Sequence, residues 1–122
     1  MRQGRGWRLG WEATPAGWQG LIGAESWAFE VDEAELQDLA NGLPKLVTTM
    51  AAMADELADG EELTCEARGD RLQLSATGFP DAYRVYVRVG KPRPAEGFWE
   101  SRAMAELLAV LAQGQAVWGS NL

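Results

Sequence analysis

The sequence predicts an α+β domain: an antiparallel sheet of about five to six strands, one long helix after the second strand, and a C-terminal helix, both packed on one face. Three observations predict it. Trp7, Leu9 and Trp11 alternate with Arg8 and Gly10, the period-two signature of a half-buried strand. Apolar residues then recur every three or four positions from Leu36 to Leu57, which is helical spacing. Period two returns from Leu63 to Val89. The order is β-β-α-β-β-β-β-α, and hairpin-length connections imply one covered face and one wet face. The 122 residues read as one domain, 1–122, with no linker or internal repeat.

The first strand spans Gly6 to Glu12, and a loop with Thr14, Pro15, Ala16 and Gly17 follows. The second strand runs from about Leu21 to Val31, its end alternating Trp27, Phe29 and Val31. These rings share a face with Trp7, Leu9 and Trp11, which makes them core. Asp32 then reads as a helix N-cap with Glu35 three residues on, a capping box, and Val31 and Leu36 stand at the positions of a hydrophobic staple. Pro44 lacks a donor and its ring clashes with the carbonyl of Ala40, at about 3 kcal/mol in a helix interior. The apolar period keeps phase across it, which predicts a kink near Asn41 and Gly42 within one helix ending at Asp59 and Gly60.

"EELTCEARGDRLQLSATG" reads as a hairpin. A two-residue turn at Gly69 and Asp70 sets Ala67 opposite Leu72, Cys65 opposite Leu74, and Leu63 opposite Ala76. The next strand, "AYRVYVRVG", turns Tyr83, Val85, Val87 and Val89 inward and Arg84, Tyr86 and Arg88 outward. "GKPRPAEG" is a loop and "FWE" a short strand; Ser101 caps a helix carrying Met104, Leu107, Leu108 and Leu111, which Gly114 ends.

The segments "GWRLGW", "WAFEVDEAE", "MAAMADEL", "LTCEA", "GFPDAYRVYV" and "AEGFW" together resemble an uncharacterised family known from cyanobacteria, domain of unknown function 1818, from Gly6 to about Gln113. The resemblance implies a compact α+β fold similar to the single-stranded-DNA-binding regulators of the Whirly and Pur-alpha kind. It implies no activity and no catalytic residue. Pro44 departs from the smooth helix that such a fold carries there.

Composition excludes several chemistries. The chain has no histidine, which removes Ser-His-Asp and Cys-His mechanisms and any site built on imidazole. No phosphate-cradling glycine loop is present. "DELADGEE" lacks the alternating spacing of a calcium loop and reads as a solvated helix end. Cys65, the one cysteine, falls on the inward face and reads as an inert buried thiol. No catalytic, cofactor-binding or metal-binding residue is assigned, and the protein reads as a non-enzyme.

No apolar run is long enough to span a bilayer and no secretory h-region follows the start, so the expected location is cytoplasmic, without a membrane partner. The net charge is −7, from 18 acidic and 11 basic residues, and repels polyanions at long range. The charge is uneven: eleven carboxylates and one base, Lys45, lie between Glu25 and Glu62, whereas Arg84, Arg88, Lys91 and Arg93 cluster later.

Two sets of residues are candidates for binding. Arg84, Tyr86 and Arg88 share the wet face of a strand, with Arg68, Arg71 and Gln73 on the neighbouring hairpin. Trp18, in a loop, and Trp118, beyond the last helix, stand outside the core pattern and offer a partner surface. The favoured reading is a non-enzymatic protein-binding or adaptor module engaging a protein partner or a second copy. The alternative is a single-stranded nucleic-acid-binding module using the exposed sheet face, disfavoured by the net charge.

Overall fold

The computed structural model describes residues 1–56 and 60–119. The chain forms two four-stranded antiparallel sheets instead of one. The first contains β1 (Arg2–Gly4), β2 (Trp7–Thr14), β3 (Gly17–Gly23) and β4 (Ala28–Asp32), paired in that order. Helix α1 (Glu33–Ala52) leads to the second sheet of β5 (Leu63–Arg68), β6 (Leu72–Phe79), β7 (Ala82–Val89) and β8 (Ala95–Glu100), and α2 (Met104–Trp118) follows a 3-10 turn at Ser101–Ala103. The order is therefore β-β-β-β-α-β-β-β-β-α. The predicted antiparallel α+β class holds, whereas the count of five to six strands and the single sheet are corrected.

The segment predicted as one strand from Leu21 to Val31 is two strands joined by a turn at Ala24–Trp27. Arg8, one strand away, pins that turn, donating from Nε to the Ala24 carbonyl (2.7 Å) and from Nη2 to the Trp27 carbonyl (3.0 Å). The turn lets β4 fold back on β3, so that Ile22 pairs with Phe29 and Gly20 with Val31. Trp27 thus precedes β4 rather than lying in it.

The capping box forms as the sequence predicts: Glu35 N–H donates to Asp32 Oδ1 and Asp32 N–H to Glu35 Oε1, each at 2.8 Å. Asp32→Ala is expected to cost about 1 kcal/mol, read as a lower urea midpoint at unchanged slope. Val31 and Leu36 are both buried. The helix runs on past Pro44, whose ring is exposed, but ends at Ala52 with Met53 as C-cap, short of the predicted Asp59. Leu57, predicted as a helical apolar position, and Asp59 lie outside the described residues.

Helix α1 packs on strands of both sheets and on α2, which also lies on β2. The shared core includes Leu9, Ile22, Leu36, Leu39, Leu43, Val85, Val87 and Leu107, each wholly buried. Two tryptophans join the sheets directly: Trp99 of β8 donates from Nε1 to the Gly23 carbonyl, and Trp27 donates from Nε1 to the Phe98 carbonyl, both at 2.8 Å.

The C-terminal half holds further corrections. Arg68 pairs with Gln73, Ala67 with Leu74 and Cys65 with Ala76, so the β5–β6 register sits two residues from the predicted one, with the same faces inward. The cause is Asp38 of α1, whose Oδ2 accepts from the amides of Arg71 (2.7 Å) and Leu72 (3.0 Å). The turn keeps two residues but sits one position on, at Asp70 and Arg71 instead of Gly69 and Asp70, with the Gly69 amide donating to the Leu72 carbonyl at 2.9 Å. Ser101 caps no helix; it opens the 3-10 turn, and its Oγ accepts from the Tyr83 amide at 3.3 Å. Gly114 does not end α2 but lies inside it, and the position takes glycine because a Cβ there would stand 2.0 Å from the Trp118 ring.

Trp118 is consequently the last residue of α2, buried in the core and edge-on to Trp11 at 5.1 Å. It offers no partner surface. Trp18 lies in β3 opposite Ala13, half-buried against the core, not in a loop.

Candidate functional site

The outer face of the second sheet gathers the predicted residues into a grid. Alternation along each strand sets Thr64, Glu66 and Arg68 of β5, Gln73, Ser75 and Thr77 of β6, and Arg84, Tyr86 and Arg88 of β7 on the face away from the core. Strand β8 completes it with Phe98 and Glu100, which lie in the predicted "FWE", and with Glu96, which joins because the strand begins at Ala95. The register places Arg84 opposite Glu100, Tyr86 opposite Phe98, and Arg88 opposite Glu96. None of the three was a candidate from the sequence, and Glu96 fell outside the predicted strand, although "AEGFWE" alternates once Gly97 is admitted as a strand residue.

At the centre, Tyr86 and Phe98 lie 6.0 Å apart between ring centroids, and the Arg84 guanidinium stands 4.5 Å over the Phe98 ring, within the range of a cation–π contact. Tyr86 is one of three large hydrophobic residues exposed among those described, at 42%. The neighbouring Tyr86 hydroxyl, and after it the Glu100 carboxylate, push the Arg84 guanidinium above its ordinary pKa.

Carboxylates answer the arginines. Arg84 Nε meets Glu100 Oε1 at 3.1 Å and Arg68 meets Glu66 at 3.4 Å, while Arg88 donates to Gln73 Oε1 at 3.0 Å and faces Glu96 across the strand pair. The face thus carries Arg68, Arg84 and Arg88 against Glu66, Glu96 and Glu100 and has no net charge. A shallow hollow of about 650 Å³ runs over it, bordered by Tyr86, Phe98, Gly97 and Trp27.

Arg71 does not join this face. It lies in the β5–β6 loop and lines a separate cavity of about 720 Å³ with Lys91, Arg93 and Glu35. There the buried Glu35 carboxylate receives Arg93 Nη2 at 3.1 Å as well as the Asp32 amide, which anchors the β7–β8 loop to the start of α1. Cys65 is half-buried in β5. No group of three or more Asp, Glu, Cys or His that could hold a metal occurs among the described residues, and no helix of the described residues is long and apolar enough to cross a membrane.

Comparison with known proteins bears on fold and family. A crystal structure of a protein of unknown function from the DUF155 family of Prochlorococcus sp. NATL2A is similar, with a TM-score of 0.81 and 21% sequence identity over 92% of this chain and 95% of that one. At that identity the likeness speaks for the fold alone. No curated protein matches the sequence. The profile of the family described as a domain of unknown function, DUF1818, matches residues 2–113, nearly the whole chain and every element that builds the outer face. The chain belongs to the DUF1818 family.

Proposed function

We propose that the protein is a non-enzymatic binding module that engages a polypeptide through the outer face of β5–β8. The observation that carries the reading is the cross-strand register, in which Tyr86 and Phe98 form an aromatic centre and every arginine is matched by a carboxylate or amide. Aromatic anchors ringed by matched polar groups suit a protein interface. Binding to single-stranded nucleic acid draws on a positively charged groove, and the three arginines here are offset by three glutamates. The want of histidine supports the non-enzymatic part of the reading.

Single-stranded nucleic acid is the second reading, because Tyr86 stands exposed between Arg84 and Arg88 and because a Whirly-like or Pur-alpha-like architecture accords with the resemblance.

Selection of a displayed peptide library on the native protein tests the first reading. Selected peptides are expected to lose at least about tenfold in affinity on Tyr86→Ala/Phe98→Ala, roughly 1.4 kcal/mol, as truncation of an interface anchor does. Peptides whose binding ignores that substitution would overturn it. Labelled single-stranded DNA and RNA are expected to show no saturable change in anisotropy even at low salt. Saturable binding that is lost with salt and on Arg84→Ala/Arg88→Ala would install the second reading instead.

A further inference from the structure

We infer that the polypeptide which the outer face of β5–β8 recognises is the same face of a second copy of this chain, packed as a twofold dimer. The inference rests on the reading of that face as a protein-binding surface and follows from the order of its charges. Along β7 the outward residues are Arg84, Tyr86 and Arg88; along β8, at the same heights, they are Glu100, Phe98 and Glu96. One strand is cationic at both ends, its neighbour anionic at both ends, and each has an aromatic residue in the middle.

Two twofold axes can relate sheets stacked face to face on these strands. An axis parallel to the strands and midway between β7 and β8 lays β7 of one copy over β8 of the other at unchanged height. Arg88 then meets Glu96 of the second copy, Tyr86 meets Phe98, and Arg84 meets Glu100. An axis across the strands instead lays Arg84 on Arg88 and Glu96 on Glu100, setting like charge on like. Like-charge juxtaposition across an interface costs several kcal/mol, so the charge pattern selects the first arrangement. Aligned sheets pack about 10 Å apart and rotated by about 30°, a spacing that side chains of this size fill.

The present contacts leave room for those new ones. The Arg84–Glu100 pair remains about half in solvent, with side-chain exposures of 51% and 43%. Glu96 is exposed and its side chain makes no hydrogen bond or ion pair among the described residues, while the Arg88 across from it donates to Gln73. The interface is isologous and closes on itself, as a twofold contact must.

Sedimentation equilibrium at physiological ionic strength, over a concentration series reaching the millimolar range, tests the inference. The mass of the native chain is expected to rise from that of one chain toward that of two. Arg84→Glu/Arg88→Glu makes the charged positions of β7 and β8 wholly acidic, and Glu96→Arg/Glu100→Arg makes them wholly basic. Each variant alone is expected to remain a monomer, and an equimolar mixture is expected to recover the dimer. Both variants stay net acidic overall, so recovery reports local pairing and not bulk attraction.

A native chain that stays monomeric at millimolar concentration, reversed variants that still self-associate, or a mixture that fails to pair would each overturn the inference. Should a reversed variant not fold by circular dichroism, Tyr86→Asp, which sets a charge at the aromatic centre, is expected to give a monomer; a dimer there would equally overturn it. A monomeric native chain whose selected peptides still depend on Tyr86 and Phe98 would remove the second copy and leave the polypeptide reading standing. Failure of both experiments would remove both.

Discussion

Replacing Trp99 by alanine is expected to lower the unfolding free energy by about 3–5 kcal/mol. The ring is 1% exposed, packs 5.3 Å from Trp27, and donates from Nε1 to the Gly23 carbonyl at 2.8 Å. Alanine removes a large buried surface and leaves a cavity at the seam of the two sheets, where α1 and its neighbours can relax only in part. It also strands the Gly23 carbonyl. Single domains have total stabilities of roughly 5–15 kcal/mol, so the variant should lie close to unfolding at room temperature. Urea unfolding followed by circular dichroism measures the change, with Trp99→Phe separating its parts. Phenylalanine keeps most of the apolar burial and drops the hydrogen bond, so its cost should be nearer the 1–3 kcal/mol of one unsatisfied buried acceptor. A loss below about 1 kcal/mol for alanine would mean that the two sheets are held together elsewhere.

Trp99 also shows where sequence reading stops. From the sequence its strand reads as three residues, because Gly97 weakens the alternation; the joint it makes with Gly23, 76 positions away, has no local signal at all. The same holds for the turn at Ala24–Trp27. No glycine–asparagine pair or proline marks it, and what fixes it is the Arg8 guanidinium on the neighbouring strand. The strand Arg2–Gly4 was missed because an exposed edge strand carries no apolar pattern to read.

What local chemistry determines was legible. The capping box at Asp32 and Glu35 needs only four consecutive residues. The outward set of Arg84, Tyr86 and Arg88 needs only period two, and the structure places all three on the exposed face. The β5–β6 hairpin marks the boundary between the two cases. A slip of two residues leaves every side chain on its own face, so hydrophobic pattern alone cannot separate the predicted register from the observed one. Asp38, reaching over from α1, decides between them.

Trp118 failed for a related reason. Gly114 reads as a stop because helices commonly end on glycine, but here the missing Cβ makes space for an indole one turn further on. The candidate face was therefore half legible: its cationic strand could be read from the sequence, while the anionic strand that neutralises it depended on where β8 begins.

Gly97→Val is expected to destabilise the fold by about 3 kcal/mol, against the usual direction of such a change. Glycine in a strand interior weakens it and valine is a strong strand former, so propensity alone predicts a gain. Geometry reverses the sign. A Cβ at Gly97 would lie 2.4–2.5 Å from three atoms of the Trp27 indole. That ring cannot swing aside freely, since Nε1 is bonded to the Phe98 carbonyl at 2.8 Å and the ring packs on Phe29 and Trp99 at 5.4 and 5.3 Å. Inserting methyl groups into such a contact forces the ring out or the strand back, typically for 1–3 kcal/mol, and displacing Trp27 adds the loss of its own packing and hydrogen bond. Urea unfolding checks the magnitude, and a red-shifted, more quenchable tryptophan emission checks the cause. The consequence reaches the outer face, because Trp27 and Gly97 border the hollow beside Tyr86 and Phe98. A displaced indole would intrude there, so the valine variant should lose self-association together with stability, whereas Trp99→Phe, which leaves Gly97 and Trp27 in place, should lose stability alone. Equal self-association in both variants would show that the hollow takes no part in recognition.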